Sequence, residues 1–116
     1  MDDGKKELIV TIVNKGWGDK VMEASIQAGA GGGTIIFGRG IGIHEKKKIL
    51  GIPIEPEKEI VLTVTPPDKT SDIMNAIINA ARLGEPGRGV AFTLPVGQFV
   101  GVVHSMIEEH PQDTTQ

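Results

Sequence analysis

The chain contains no cysteine, which excludes disulfides, thiolate metal sites and thiol catalysis. It has no tyrosine, and aromatic residues make up only 3% of it. A basic surplus is missing too: 12 Lys and Arg stand against 15 Asp and Glu, a formal net charge of −3. No global positive field therefore gathers nucleic acid or anionic lipid. No apolar run approaches the roughly 20 residues that span a bilayer. Catalytic patterns are also lacking. There is no His-Glu-x-x-His, no nucleophile elbow and no pair of carboxylates at a working spacing. The three histidines, His44, His104 and His110, fall in an expected loop, near a strand end and in the tail. We therefore assign no catalytic residue and no metal ligand, and expect a protein that is not an enzyme. Met1-Asp2-Asp3-Gly4-Lys5-Lys6 leads directly into a strand-like run without a secretory pattern, so a cytoplasmic location is expected.

What is present is glycine, 16 residues of it, and an internal repeat. Glycine in such number points to tight turns and to places where backbone approaches something closely. Residues 8–28 align without a gap on residues 60–80. Leu8-Ile9-Val10-Thr11-Ile12-Val13 lies over Ile60-Val61-Leu62-Thr63-Val64-Thr65, and Val21-Met22-Glu23-Ala24 over Ile73-Met74-Asn75-Ala76. The first member of each pair is a β-branched run and reads as a strand. The second is helical: Ile73, Met74, Ile77, Ile78 and Ala81 recur on one face, with Asn75 and Asn79 opposite. Thr70 or Ser71 is the expected N-cap of that helix, after Pro66-Pro67 ends the strand. The first helix is expected from about Gly18-Asp19 to Gly29.

Each helix is followed by a glycine-rich turn and a third apolar run, Thr34-Ile35-Ile36-Phe37 and Val90-Ala91-Phe92-Thr93-Leu94. Two such units in series predict an α+β, ferredoxin-like βαββαβ fold: a four-stranded antiparallel sheet with both helices on one face. Phe99-Val100-Gly101-Val102-Val103 is expected to add a C-terminal edge strand, and 105–116 to form a flexible tail. At 116 residues the chain is read as one domain, 1–116.

Between the halves lies an insertion over about 38–58, carrying Arg39, His44-Glu45-Lys46-Lys47-Lys48 and Glu55-Pro56-Glu57-Lys58. Its prolines and flanking glycines predict a loop or an extended hairpin. Two turns place an arginine between glycines: Gly38-Arg39-Gly40-Ile41-Gly42 and Gly84-Glu85-Pro86-Gly87-Arg88-Gly89. Exposed backbone N–H groups beside a guanidinium suit phosphate. Neither turn is a Walker motif, and read alone both are simple tight turns. Lys46, Lys47 and Lys48 read as a solvated loop tip on charge alone, while the apolar Ile49, Leu50 and Ile52 beside them suit either a docking segment or packing within an assembly.

The whole pattern resembles the PII signal-transduction family, the nitrogen regulatory P-II proteins, over roughly residues 7–104. Gly40-Ile41-Gly42 resembles the Gly-Phe-Gly that opens that family's T-loop, and Leu83-Gly84-Glu85-Pro86-Gly87-Arg88-Gly89 resembles its Thr-Gly-x-x-Gly-x-Gly B-loop. The resemblance implies a homotrimer that regulates nitrogen metabolism, binding ATP, ADP or AMP as an effector between subunits, with the part of magnesium open and no tightly bound cofactor. By position it implies a ligand site at Thr34, Gly42, Val64, Gly87, Arg88 and Gly89, to which the glycine-flanked turn adds Arg39 and Gly40 as expected ligand residues. It also implies a partner-binding loop at Lys46, Lys47, Lys48, Ile49, Leu50 and Ile52 that docks on a target protein, such as a metabolic enzyme or a membrane transporter. The chain departs from the pattern at three family basic positions, where it has Val90, Gly101 and Val103, and it lacks the tyrosine that some members modify.

Other readings share the fold. An RNA-binding module needs stacking aromatics on its central strands, where this chain carries Ile9, Val10, Ile12, Val61, Leu62 and Val64; no nucleic-acid partner is expected. An acylphosphatase-like hydrolase would use Asn14 after the first strand to position water, and a CutA-like trimer would bind divalent metal.

Overall fold

The structure, a computed structural model, describes residues 4–42, 47–49, 52–54 and 56–101, with backbone alone for the two short segments. Strict alternation of burial decides the strands. In β1 (Lys6–Asn14), Ile9, Thr11 and Val13 are buried while Leu8, Val10 and Ile12 between them are half-buried. β5 (Glu57–Thr65) repeats the pattern with Glu59, Val61, Thr63 and Thr65 inward. These two antiparallel strands form the centre of one sheet, with β2 (Thr34–Arg39) beside β5 and β6 (Gly89–Val96) beside β1. The spatial order β2-β5-β1-β6 is that of the ferredoxin-like βαββαβ arrangement, and every neighbouring pair is antiparallel.

Both helices, α1 (Gly18–Gln27) and α2 (Thr70–Ala81), cover one face of this sheet. The core lies between: Ile9, Val13, Val21, Val61, Ile73 and Ile77 have no exposed surface. Burying each contributes about 1.5–3 kcal/mol. The expected helical stripe is narrower than its sequence spacing suggested. Ile73, Ile77 and Ala81 are buried, but Ile78 is 37% exposed, because it sits one step past the line that meets the sheet.

The repeat survives in three dimensions. Gly18 and Thr70, the first residues of the two helices, stand at the same offset as Leu8 and Ile60. The expected cap of α2 does not: Thr70 lies inside the helix after a 3-10 turn over Pro67–Lys69, and Lys69 at the cap position makes no side-chain cap bond. The Thr70 hydroxyl instead faces the Thr65 hydroxyl at 2.7 Å.

The insertion is shorter than 38–58. Gly38, Arg39, Glu57 and Lys58 belong to the sheet, because β2 and β5 continue pairing to Arg39↔Glu57. Within it, β3 (Lys47–Ile49) and β4 (Ile52–Ile54) form a short antiparallel ladder, in keeping with an extended hairpin. The expected C-terminal strand is absent over Phe99–Gly101, which pair with nothing in the sheet. β6 ends at Val96, before Gly97, and Val100 is 98% exposed. Val102, Val103 and the tail 105–116 lie outside the described residues. Among the described residues no helix is long and apolar enough to cross a membrane.

Candidate functional site

Among the described residues no layer covers the sheet face away from the helices. Cross-strand register sets its side chains in rows: Ile36, Ile60, Ile12 and Val90 in one, Thr34, Leu62, Val10 and Phe92 in the next, then Val64, Leu8 and Leu94. On this face Val90 is 54% exposed, Phe92 42% and Leu94 47%. At one end of it a cavity of about 490 Å³ opens, lined by Ile12, Ile60 and Val90 of the first row together with Arg39–Gly42, Lys58, Gly87 and Gly89. That volume is in the range of small-molecule sites, roughly 300–1,000 Å³.

Three pieces of sequence build it. The ladder between β2 and β5 runs on as the Gly40 N–H donates to the Pro56 carbonyl at 3.1 Å, which holds Arg39–Gly42 as one wall. The turn before β6 supplies Gly87 and Gly89 as the other. Glycine is obligatory at 89, where φ is +141° and a Cβ would stand 2.3 Å from the Ile12 carbonyl oxygen. Ile12, Ile60 and Val90 contribute apolar surface in the middle. Among the described residues the charged lining is Arg39 and Lys58, with no carboxylate. A concave, one-signed site with exposed glycine backbone attracts an anion, and its apolar part suits a flat or aliphatic body.

Behind the cavity a polar network ties its parts together. Lys58 Nζ donates to Asn14 Oδ1 at 2.6 Å, and Asn14 Nδ2 donates to the Gly87 carbonyl at 3.1 Å. Residue 88, between the two lining glycines, turns elsewhere: the Arg88 guanidinium stacks 4.1 Å from the centre of the Trp17 ring. Lys20 Nζ lies 4.6 Å from the same ring. Arg88 Nε and Nη2 are buried without a hydrogen-bond partner. Trp17 precedes α1, whose first amides are held from the other half of the repeat. The buried Glu59 carboxylate accepts from the Gly18 N–H at 2.7 Å and from the Gly16 N–H at 3.1 Å. Nearby, Lys15 and Glu57 pair at 2.8 Å on the surface. Their hydrogen bond and mutual attraction lower the Glu57 pKa and raise that of Lys15.

Of the ligand residues expected from sequence, Arg39, Gly40, Gly42, Gly87 and Gly89 meet around the one cavity. Thr34, Val64 and Arg88 do not line it. Thr34 pairs with Leu62, one row on from Ile60 along the bare face, and Val64 is a further row away; Arg88 is held by Trp17. Of the expected partner-binding residues, Lys47, Lys48, Ile49 and Ile52 lie on the β3–β4 ladder, whereas Lys46 and Leu50 fall outside the described residues. Lys58 and Ile41 were missed. Strand alternation was the available signal for Lys58, since it puts that residue on the bare face with Ile60 and Leu62, at the end where the insertion returns.

Comparison with solved structures places this geometry. The crystal structure of Arabidopsis thaliana PII bound to citrate superposes with a TM-score of 0.63 at 31% sequence identity, over 81% of this chain and 79% of that one. A Bacillus cereus protein related to NIF3 superposes with a TM-score of 0.62 at 17% identity, over 82% of this chain but only 26% of that one; this second likeness concerns the fold alone. No family model and no curated protein matches the chain.

Proposed function

We propose that this chain, which belongs with the PII-like proteins, is a regulator: it binds a small anionic effector in the cavity between the insertion base and the glycine-rich turn. The effector is an adenine nucleotide or a polycarboxylate of the kind that the Arabidopsis protein holds. Occupancy is reported through the insertion, 40–56, to a target protein such as a metabolic enzyme or a membrane transporter. The observation that carries this reading is the convergence of Arg39, Lys58 and four glycines on one cavity. Each charge-assisted hydrogen bond formed there would contribute about 1.5–3 kcal/mol. The family's basic positions at 90, 101 and 103 are apolar or glycine here, so Arg39 and Lys58 carry the anion.

A homotrimer accompanies this reading. The bare sheet face, with Val90, Phe92 and Leu94 about half exposed, is apolar surface that a two-layer domain leaves uncovered. Copies packed through it would bring Thr34 or Val64 of one subunit toward the cavity of the next.

Isothermal titration calorimetry against ATP, ADP, AMP and citrate, with and without magnesium, tests the reading. Light scattering on the same samples gives the oligomeric state. Micromolar binding of one ligand, weakened at least tenfold in Lys58→Met or Arg39→Met, is the expected result, one lost charged contact being worth that much. A folded protein that gives no heat with any of them overturns it.

A further inference from the structure

We infer that Asn14 is a positioning residue that couples the cavity to Trp17, so that an anion drawing Lys58 into the cavity is registered on the far side of the glycine-rich turn. The ligand-driven half of this inference rests on the proposed effector site; the coupling itself does not.

The path is continuous. Asn14 stands at the end of β1 and uses both ends of its amide, accepting from Lys58 at 2.6 Å and donating to the Gly87 carbonyl at 3.1 Å. The Gly87 carbonyl belongs to the peptide that leads into Arg88, whose guanidinium lies over Trp17 at 4.1 Å. Trp17 abuts Gly16 and Gly18, both clamped by Glu59, the residue after Lys58. The chain of contacts therefore leaves β5 at Lys58 and returns to it at Glu59. An element carries a signal when it has two arrangements, and the turn has room for a second. Gly84 and Gly87 face open space where a Cβ would lie, and the Arg88 N–H reaches the Glu85 carbonyl only at a long 3.4 Å.

Arg88 makes the turn's resting arrangement conditional. Nε and Nη2 are buried and make no hydrogen bond, an unfavourable state for a group with five donors. Stacking on Trp17 offsets only part of that. The docked turn therefore depends on the Asn14–Gly87 bond. When a bound anion competes for the Lys58 ammonium, the Asn14 amide loses the partner that orients it. The Gly87 carbonyl is then released and Arg88 leaves the indole for water or for the anion. Trp17 is the chain's single tryptophan, so its emission reports this step without a label.

The test uses the full chain. Trp17 emission and acrylamide quenching are compared in the wild type, Lys58→Met, Asn14→Leu, Asn14→Asp and Arg88→Leu, all without ligand. Lys69→Met, in the 3-10 turn beyond the opposite end of β5, is the control. Coupling predicts that Lys58→Met and Asn14→Leu both raise the exposure of Trp17, that their double variant does no more than either, and that Lys69→Met is silent. Asn14→Asp keeps the acceptor for Lys58 but loses the donor to Gly87, so it behaves as Asn14→Leu; it also decides the matter should Asn14→Leu fail to fold. Folded Asn14→Asp and Lys58→Met proteins with wild-type Trp17 signals overturn the inference. Citrate and ATP are then titrated by calorimetry and by Trp17 emission together. Heat accompanied by a change at Trp17, with the latter lost in Asn14→Asp and affinity altered about 5- to 10-fold, supports coupling. Heat with Trp17 unchanged overturns coupling and leaves the effector site standing. Absence of heat overturns the effector reading, while the ligand-free variants still decide the role of Asn14.

Discussion

The two halves of the repeat start and finish their helices by different means. In the first half the amides that begin α1 are satisfied at long range, by the Glu59 carboxylate from β5. In the second they follow a local device, a proline-led 3-10 turn and the Thr65–Thr70 hydroxyl pair at 2.7 Å. After the helices the contrast continues: Gly29 with φ +117° follows α1, whereas Arg82 with φ +57° ends α2. Where β2 and β6 begin, a Cβ on Gly33 would press most closely on the Met22 side chain, at 2.9 Å, with the Leu62 carbonyl oxygen at 3.1 Å, but one on Gly89 would strike main chain outright. The difference follows position relative to the cavity. Glu59 adjoins Lys58 and Gly89 lines the site, so the rigid solutions are concentrated at that end of the sheet. The far end is held by short-range contacts that could be rearranged cheaply.

The largest effect is expected at the strand starts. Gly89→Ala puts a methyl group into the Ile12 carbonyl at a φ that L residues rarely adopt. A loss of about 3 kcal/mol or more is expected in urea unfolding, together with loss of effector binding. Gly33→Ala presses on the end of a methionine side chain and less tightly on the Leu62 carbonyl oxygen, and should cost about 1 kcal/mol. Equal losses would break the comparison.

Next come the helix starts. Glu59→Ala removes the carboxylate and leaves the buried Gly18 N–H without its acceptor, which costs about 2–3 kcal/mol. Thr70→Val removes a neutral hydroxyl that pairs with Thr65 and lies 3.3 Å from the Pro66 carbonyl, and costs about 1 kcal/mol. Hydrogen exchange sharpens the distinction. Glu59→Ala should speed exchange of the first amides of α1 selectively, while Thr70→Val leaves α1 protected.

How much of this was legible in the sequence follows the same division. The repeat, the strand periods and the helix faces are local patterns, and they specified the sheet and its two-helix layer. The glycines of the cavity were legible because Gly-x-Gly and the turn before β6 are contiguous. Lys58 and Glu59 were not, because each acts on residues more than 40 positions away in sequence, on Asn14 and on Gly16 and Gly18. Arg88 was misplaced for a related reason. Its neighbours Gly87 and Gly89 do line the cavity, but only the fold reveals that Trp17 lies within stacking distance on the other side. The overlong insertion and the unformed strand at Phe99–Gly101 share one cause. Apolar or charged runs mark where pairing is affordable, while the register with a partner decides where it stops.

The helix ends give a smaller, stabilising prediction. Arg82 adopts a left-handed conformation where α1 is followed by glycine, and its ion pair with Glu85, 3.3 Å long, is exposed. Arg82→Gly relieves roughly 1 kcal/mol of backbone strain and forfeits little from the surface pair. Part of the gain is offset by the freer unfolded chain, so a net rise of a few tenths of a kcal/mol is expected in thermal unfolding. A fall would mean that the Arg82 side chain, and not the backbone, holds this end of α2.

The smallest effect belongs to the Lys15–Glu57 pair, a surface contact beside the clamped turn. Its hydrogen bond and attraction lower the Glu57 pKa and raise that of Lys15. A lowered carboxylate pKa stabilises the fold above the unfolded value, and that contribution is lost as pH falls through the folded one. A raised lysine pKa stabilises below its unfolded value, and the gain is lost as pH rises through the folded one. The pair is therefore fully present across neutral pH and fades at both the acid and the alkaline ends. Both side chains are well exposed, so salt screens the effect. Comparing Glu57→Gln with wild type between acid and neutral pH isolates it: the two stabilities should converge in acid and differ only slightly at neutral pH, less so in high salt. A difference that persists in acid would assign Glu57 a role in the end of the β2–β5 ladder, at Arg39↔Glu57, that its charge does not explain.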